Sequence, residues 1–272
     1  MSKKRIVRKK SKLEEEFSIN KYKKSLEKAG ISKKKCREIY NEIEPKLSHY
    51  FSSSELHHKT YKIILKHSKI YAANYDIKRA IYNLGPTGYP FEVLCAEMLK
   101  AKGYKTRVSV YKKGMFVKHE VDVVAERSDG NIFCECKFHN AKLHKNDIKI
   151  PLYVHSRFLD IQEANPKEKF VYALMSNTDF SVDAIKYSQG VGLLLFSMNY
   201  PVKNTFVDII KKYKVYPISV LKSLKVRDRN TLLDKGIVVL KQLKDNDLEA
   251  IGLKKTERDK ILQEVKVLTR PT

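Results

Sequence analysis

The chain of 272 residues has no apolar run approaching the length of a membrane span, and its N-terminus lacks the apolar core of a signal peptide. A soluble, cytoplasmic protein with no membrane partner is expected. The four cysteines, Cys36, Cys95, Cys134 and Cys136, show no Cys-x-x-Cys spacing, which argues against a zinc site and a disulfide framework. There is no Gly-x-x-x-x-Gly-Lys and no Gly-x-Gly-x-x-Gly, so hydrolysis by a P-loop mechanism is not expected. Acid is the scarce charge: 31 Asp and Glu stand against 55 Lys and Arg, for a net charge of +24. Seven basic residues and no acid fall in the first twelve positions, which leaves +17 spread over the rest. Such an excess attracts polyphosphate through counterion release, and nucleic acid is the expected partner. A hydrophobic fraction of 42% allows real cores, in one large domain or two to three small ones.

Two apolar-rich stretches carry charges that fit badly with a purely structural role. In His119-Glu120-Val121-Asp122-Val123-Val124-Ala125, strand alternation puts Val121 and Val123 on one face and Asp122 and Val124 on the other. In Phe133-Cys134-Glu135-Cys136-Lys137, Glu135 and Lys137 share a face, and Cys134 and Cys136 read as small core residues on the buried side. Arg127-Ser128-Asp129-Gly130-Asn131 reads as the hairpin connection between them. Two carboxylates and a lysine on one sheet surface supply hard oxygen ligands for Mg²⁺ and a cation for transition-state charge. A solvated ion-pair network is the alternative, and the hydrophobic setting weighs against it.

Asp122, followed after a hairpin by Glu135-x-Lys137, resembles the D…(D/E)xK signature of restriction-endonuclease-like nucleases. Gly88-Tyr89-Pro90-Phe91-Glu92, with Leu94, Cys95, Met98 and Leu99 at helical spacing, resembles the glutamate-bearing helix of the Mrr and Holliday-junction-resolvase-like branches. The resemblance implies a metal-dependent endodeoxyribonuclease using Mg²⁺ or Mn²⁺. Glu92, Asp122, Glu135 and Lys137 would be its catalytic residues, with Asp122, Glu135 and Glu92 on the metal side. DNA is the implied substrate, with RNA not excluded.

Upstream, Ser18 is placed to cap a helix carrying Ile19, Tyr22 and Leu26 that Gly30 stops. Cys36, Ile39, Tyr40, Ile43 and Leu47 form a second stripe, bent or interrupted at Pro45. Ser52 with Glu55 makes a capping box before Leu56, Thr60, Ile63 and Ile64, and Ile70, Ala73, Ile77 and Ile81 complete four helices. A short β-like piece, Arg5-Ile6-Val7-Arg8, and the segment Phe17-Ser18-x-x-Lys21 precede them. Together these resemble the ATP-cone, a nucleotide-binding allosteric module, with Lys10-Ser11 where that family has Asp-Gly. The resemblance implies ATP or dATP as an allosteric ligand, with Arg8, Lys9 and Lys21 meeting its phosphates. An ordinary basic tail is the competing reading.

Asn83 to Pro90, with two glycines and two prolines, marks a boundary. Strands are expected over Lys105 to Val110, Glu120 to Glu126 and Ile132 to Lys137, with Gly114 at the first turn. The stretch from His139 to Lys149, with His139, Lys142, His144 and Lys145, reads as a solvated or backbone-contacting basic loop and not as a set of metal ligands. A helix from about Pro151 to before Pro166, a strand over Phe170 to Met175, a helix over Ser181 to Gln189 closed by Gly190, and a strand over Leu193 to Phe196 complete a β-α-β-α-β alternation. That alternation demands a mixed sheet covered on both faces. Ser176-Asn177-Thr178, at a strand's carboxyl end, would either face nucleic acid or simply make the turn.

From Tyr216-Pro217 onward, short helices with polar breaks offer a small core from Leu221 to Leu268, including Ile237, Ile251, Leu253, Leu262 and Val265. Leu233-Asp234-Lys235-Gly236-Ile237 resembles the glycine turn of helix-hairpin-helix modules, which hold phosphates on backbone N–H groups, and Gly252 is a second such turn. The expected fold is multidomain α/β. An ATP-cone-like regulatory domain covers 1–84, a restriction-endonuclease-like mixed sheet flanked by helices covers 85–213, and a small all-α, helix-hairpin-helix-like domain covers 214–272. Three functions are compatible with this: a nuclease, a nucleic-acid-binding or regulatory protein silent on the same fold, and a nucleotide sensor that controls cleavage by shifting a homodimer or higher assembly.

Overall fold

The computed structural model describes residues 5–9, 12–141 and 144–270. The chain divides into two compact units, Met1–Ile77 and Lys78–Thr272.

In the first unit, β1 (Ile6–Arg8) is the middle of a three-stranded sheet. It runs antiparallel to β2 (Glu14–Glu16) and parallel to β3 (Tyr50–Ser52). Only β1 is foreseen in the sequence, through its Ile6-Val7 pair; the all-glutamate β2 carries no strand signal, and β3 buries a single apolar residue, Phe51. The four expected helices follow as α1 (Ile19–Lys28), α2 (Lys33–Ile43), α3 (Ser53–His67) and α4 (Lys69–Tyr82). Ser18, Ser32 and Ser52 cap the first three by accepting from backbone N–H groups one turn in. The box at Ser52 is only half formed: Glu55 N–H donates to Ser52 Oγ at 3.0 Å, but the Glu55 carboxylate turns outward to Lys59 Nζ at 2.7 Å. Tyr22, Leu26, Cys36, Ile39, Ile43 and Ile64 form the buried core, whereas Ile19 is exposed. The expected turn at Lys10-Ser11 lies outside the described residues.

The second unit is built on a five-stranded mixed sheet. It contains α5 (Tyr89–Ala101), β4 (Lys105–Lys113), β5 (Lys118–Glu126), β6 (Asn131–Lys137), β7 (Lys145–Asn146), α6 (Lys149–Ala164), β8 (Phe170–Ser176), β9 (Asp179–Phe180), α7 (Val182–Val191) and β10 (Leu194–Phe196). Strand order is β10-β8-β6-β5-β4, with the β4–β5 and β5–β6 pairs antiparallel and β6, β8 and β10 parallel. Phe133 of β6 packs on Val154, Phe158 and Ile161 of α6. The alternate residues Cys134 and Cys136 are buried on the other side as free thiols, with Cys136 hydrogen-bonded to the Cys95 thiol of α5. Both sheet faces are therefore covered, as the β-α-β-α-β reading requires. β7 pairs with β9 as a two-residue parallel ladder within the expected basic loop; Lys142 of that loop lies outside the described residues.

Several local expectations are corrected. Val121 and Val124, expected on opposite faces, belong to one core, because pairing between β4 and β5 is interrupted between Val108↔Val123 and Val110↔Val121. Ser109 there has φ 52°, a left-handed backbone that perturbs the regular pleat. α7 runs through Gly190 and is closed by Gly192 at φ 74°. One helix not foreseen in the sequence is α8 (Phe206–Tyr213), which Thr205 and Asp208 begin with a full capping box and whose Phe206 stacks on Phe91 of α5. Beyond it, α9 (Val226–Asp234), α10 (Asp245–Glu249) and α11 (Lys255–Thr269) alternate with 3-10 turns, with Gly236 and Gly252 at φ 77° and 81°. Ile237, Ile251, Leu253, Leu262 and Val265, expected in the core, are only half-buried: the first three lie in the turns between helices, and α11 buries Ile261 and Leu268 instead of Leu262 and Val265.

Candidate active site

The β5–β6 ladder pairs Ala125↔Ile132, Val124↔Phe133 and Val123↔Cys134, then opens. The next register position sets Asp122 against Glu135. There the side chain replaces the backbone: the Cys136 N–H donates to Asp122 Oδ2 at 2.7 Å. Asp122 is half-buried and Glu135 is 2% exposed, a rare situation for a carboxylate unless it is paired. Glu135 is paired twice. Its Oε1 lies 2.5 Å from Lys137 Nζ, two residues along the same face, and its Oε2 lies 2.5 Å from an Arg157 guanidinium nitrogen on α6. The same Arg157 nitrogen donates to the Glu120 carbonyl, a group in the stretch where the ladder has opened.

Glu92 enters from the first turn of α5, which Gly88 and Pro90 begin. Burial first, then the negative charges of Asp122, Glu120 and Glu135, push its carboxyl up to about 7, with Lys137 opposing. Asp122 is pushed up to about 6, again by burial first and by Glu135 next, against the Cys136 N–H and the Lys137 and Arg157 charges. Glu92, Asp122, Glu135 and Lys137 thus lie within one another's electrostatic reach.

A hard divalent cation is suited to this donor set. The site assembles carboxylates whose ionisation burial and mutual repulsion oppose, and a bound cation reverses that penalty. The fit has one condition. Both Glu135 oxygens are engaged by cationic side chains, and among the described residues no three acidic, His or Cys side chains converge tightly enough to hold an ion as they stand. Binding through Glu135 therefore requires Lys137 or Arg157 to release one oxygen.

The carboxyl end of β6 is clamped by a buried polar network. Ser176 Oγ donates to the Lys137 carbonyl at 2.8 Å. Asn177 holds the His139 backbone in both directions at 2.8 Å, accepting from its N–H and donating to its carbonyl. Asn146 Nδ2 reaches Ser176 Oγ and Thr178 Oγ1 at 2.9 and 3.1 Å, and its Oδ1 meets the His139 ring at 2.9 Å. Ser176, Asn177 and Thr178 are buried, so of the two readings of this turn they take the structural one. The His139 ring lies 4.0 Å from that of His144, with its pKa lowered chiefly by burial.

Arg157 and Tyr153 escape the sequence reading. They sit four apart on α6, away from the Val154, Phe158 and Ile161 stripe, and that off-stripe i, i+4 placement is the signal that could have found them. Arg157 lies 4.6 Å and Lys137 6.0 Å from the Tyr153 ring centre. In the first unit, the expected nucleotide contacts partly converge: Lys9 Nζ and Lys21 Nζ lie 2.7 and 3.6 Å from the same Glu15 oxygen, while Arg8 is exposed.

Residues 86–199 match a family model described as a restriction endonuclease, Mrr catalytic type, and all four proposed catalytic positions fall within it. Residues 216–269 match a model described as AF1548-like, C-terminal. An uncharacterized protein from Archaeoglobus fulgidus is 31% identical over 175 residues, covering 63% of this chain and 97% of the relative. A crystal structure of AF1548, described as a protein of unknown function, is similar over 67% of this chain and 98% of its own length, with 29% identity and a TM-score of 0.57.

Proposed function

The chain belongs to the AF1548-like family and contains a restriction-endonuclease-like domain, and from that premise we propose that it is a metal-dependent endodeoxyribonuclease hydrolysing phosphodiester bonds. The observation that carries the reading is the opening of the β5–β6 ladder at Asp122 and Glu135, with Lys137 ion-paired to Glu135 and Glu92 in the same field. A bound Mg²⁺ or Mn²⁺ would polarise a phosphoryl oxygen and lower the pKa of a coordinated water. Asp122 and Glu135 would hold it, with Glu92 binding directly or orienting its water shell. The Cys136 N–H orients the Asp122 carboxylate, and the buried clamp from Asn146 to Ser176 holds the β6 end that bears Lys137. Lys137, on leaving Glu135, stabilises charge at the phosphate. The Gly236 turn lies near the start of α5, since a methyl group there would be 3.5 Å from the Tyr89 hydroxyl. A DNA backbone held at that turn would be close to the end of α5 that bears Glu92.

A second reading is a silent nucleic-acid-binding protein on the same fold. The double engagement of Glu135 by Lys137 and Arg157 favours it, because an ion pair that never opens leaves the cation without this ligand. Linear, supercoiled and four-way-junction DNA, incubated with Mg²⁺ or Mn²⁺, separate the two. The parent is expected to cut while Asp122→Asn does not. Equal cutting by both would mean contamination and end the nuclease reading, whereas binding without cutting by either would establish the silent one.

For the first unit we propose ATP or dATP as a regulatory ligand, supported by the convergence of Lys9 and Lys21 on Glu15. A triphosphate would replace the Glu15 carboxylate between them, with Arg8 alongside. Equilibrium dialysis with ATP and dATP should then show binding that Lys21→Ala weakens and Glu15→Gln strengthens. No binding by any of the three proteins would remove the nucleotide from the mechanism.

A further inference from the structure

The β4–β5 hairpin tip is at once fastened and exposed. Its backbone is tied to one residue of α6, Asp160. The Met115 N–H donates to the Asp160 carbonyl at 3.0 Å, the Phe116 N–H donates to Oδ1 at 3.1 Å, and the His119 ring meets Oδ2 at 2.6 Å. Gly114 admits no side chain there, since a methyl group would stand 1.9 Å from Asp160 Oδ2 and 2.7 Å from the Val117 carbonyl. Yet this pinned turn presents Met115, Phe116 and Val117 to solvent, Phe116 at 83% exposure. An apolar tip exposed to water gains nothing from folding; holding it rigidly suits a partner that inserts against it.

Beside the tip lies a cavity of ≈ 440 Å³, lined by Phe116, Val117, His119, Tyr153, Arg157 and Asp160.

 Its walls are thus part aromatic and part charged, and it falls in the size range of small-molecule sites. Tyr153 and Arg157 join it to the catalytic centre, because Arg157 binds Glu135 while Lys137 and Arg157 both flank the Tyr153 ring. A phosphate drawn to Lys137 would therefore carry its own nucleotide toward the half-exposed Tyr153 ring. Lys113 and Lys118 border the tip and suit the flanking backbone.

We propose that the hairpin tip and α6 form a nucleobase site, in which a base taken out of the helical stack lies against Phe116 and Tyr153 while its phosphate reaches Lys137. The inference rests on the nuclease reading for the use of the site and names its substrate class: DNA offering an unpaired or readily unstacked base, as at a bulge, mismatch, branch or single-stranded gap. Base-on-aromatic stacking tolerates any sequence, so this site selects by DNA structure and not by base identity. An apolar wedge at the tip would assist by prying a weak step apart.

The test compares a matched duplex with one carrying a single-nucleotide bulge of 5-iodouracil, in the Asp122→Asn background that stops hydrolysis. The bulged duplex is expected to bind roughly tenfold tighter, the magnitude of one stacked base, and to photo-crosslink to Phe116 or Tyr153. Phe116→Ala should bring the two affinities together and Phe116→Trp should restore the gap. Gly114→Ala should mimic Phe116→Ala by releasing the tip, and Tyr153→Leu provides a second probe if a hairpin variant fails to fold. Equal binding of both duplexes with crosslinks elsewhere overturns the base site, and the nuclease reading survives if the parent still cuts DNA with Mg²⁺. Preference and crosslink without any cutting by the parent would keep the base site and end the nuclease reading. If Phe116→Ala instead converts a dimer to a monomer with the bulge preference unchanged, the tip is a contact between copies and the proposal falls.

Discussion

At each end of the β5–β6 hairpin a carboxylate is paired to an arginine, Asp129 to Arg127 of the turn and Glu135 to Arg157 of α6, and the two pairs live in opposite environments. At the turn, Arg127 pairs with Asp129 and lies 4.1 Å from the Tyr104 ring centre, all near the surface. At the open end, Arg157 binds Glu135, whose side chain is 3% exposed. Water and salt screen the first pair, so it adds little. The second has lost that screening and persists only because each charge would cost more alone than together. A charge in a strand is therefore informative where the chain has given up solvent for it, and the ladder that closes tightly at Val123↔Cys134 opens where it does so.

The largest effect should come from the buried end. Asp122→Asn is expected to take DNA cleavage below detection while binding persists, measured by nicking of supercoiled DNA and by mobility shift. The same substitution removes a carboxyl whose ionisation burial opposes, so the cation-free protein at pH 8 should melt no lower than the parent. A variant that loses cleavage only because it unfolds would show the opposite melting result.

Next in size is Arg157→Ala. It leaves Glu135 buried with Lys137 as its one remaining partner, and a loss of about 3 kcal/mol in unfolding free energy is expected, the lower end of the range for breaking a buried pair. Adding Glu135→Gln should recover part of that loss, since the orphaned charge goes with it. Urea titration of the two variants checks both statements, and additive losses would mean that the pair is not coupled.

The charges of Asp122, Glu135 and Lys137 were conspicuous in the sequence because apolar neighbours surround them at period two, whereas Glu92 stood out only through the likeness of Gly88-Tyr89-Pro90-Phe91-Glu92 to the glutamate-bearing helix of Mrr-like nucleases. The mixed sheet and its covering helices were legible for the same reason: their apolar runs are long enough to show a period. Arg157 was not, as one basic residue on a helix in a lysine-rich chain looks like solvated surface until α6 is laid on the sheet. The loss of alternation between Val121 and Val124 was equally hidden, because it depends on a left-handed residue, Ser109, in the neighbouring strand. β3 stayed hidden because Phe51 is its one buried residue, whereas the equally short β10 announced itself by the apolar run Leu193 to Phe196.

A smaller effect separates the carboxylates of the open end from those of the turn by pH. Glu92 is raised from an ordinary 4.5 to about 7 and Asp122 from 3.8 to about 6. Across those windows the folded state holds more protons than the unfolded one, so these two groups make stability fall as pH rises. A divalent cation binds only their ionised forms. Mg²⁺ should therefore raise the melting temperature more at pH 8 than at pH 5, as followed by circular dichroism. Equal shifts at both pH values would argue that the ion binds elsewhere.

The smallest expected effect sharpens the comparison most. Arg127→Ala removes the pair with Asp129, the contact with the Tyr104 ring and a 3.2 Å bond to the Lys102 carbonyl, yet it should leave the urea midpoint unchanged within error. Its groups return to water that already reached them, so the lost contacts are exchanged for hydration. The hairpin itself remains closed by the Gly130 N–H to Arg127 carbonyl bond, which the substitution keeps. If Arg127→Ala instead cost as much as Arg157→Ala, exposure would not be what distinguishes the two ends, and the buried charges at Asp122 and Glu135 would lose their standing as the mark of a functional site.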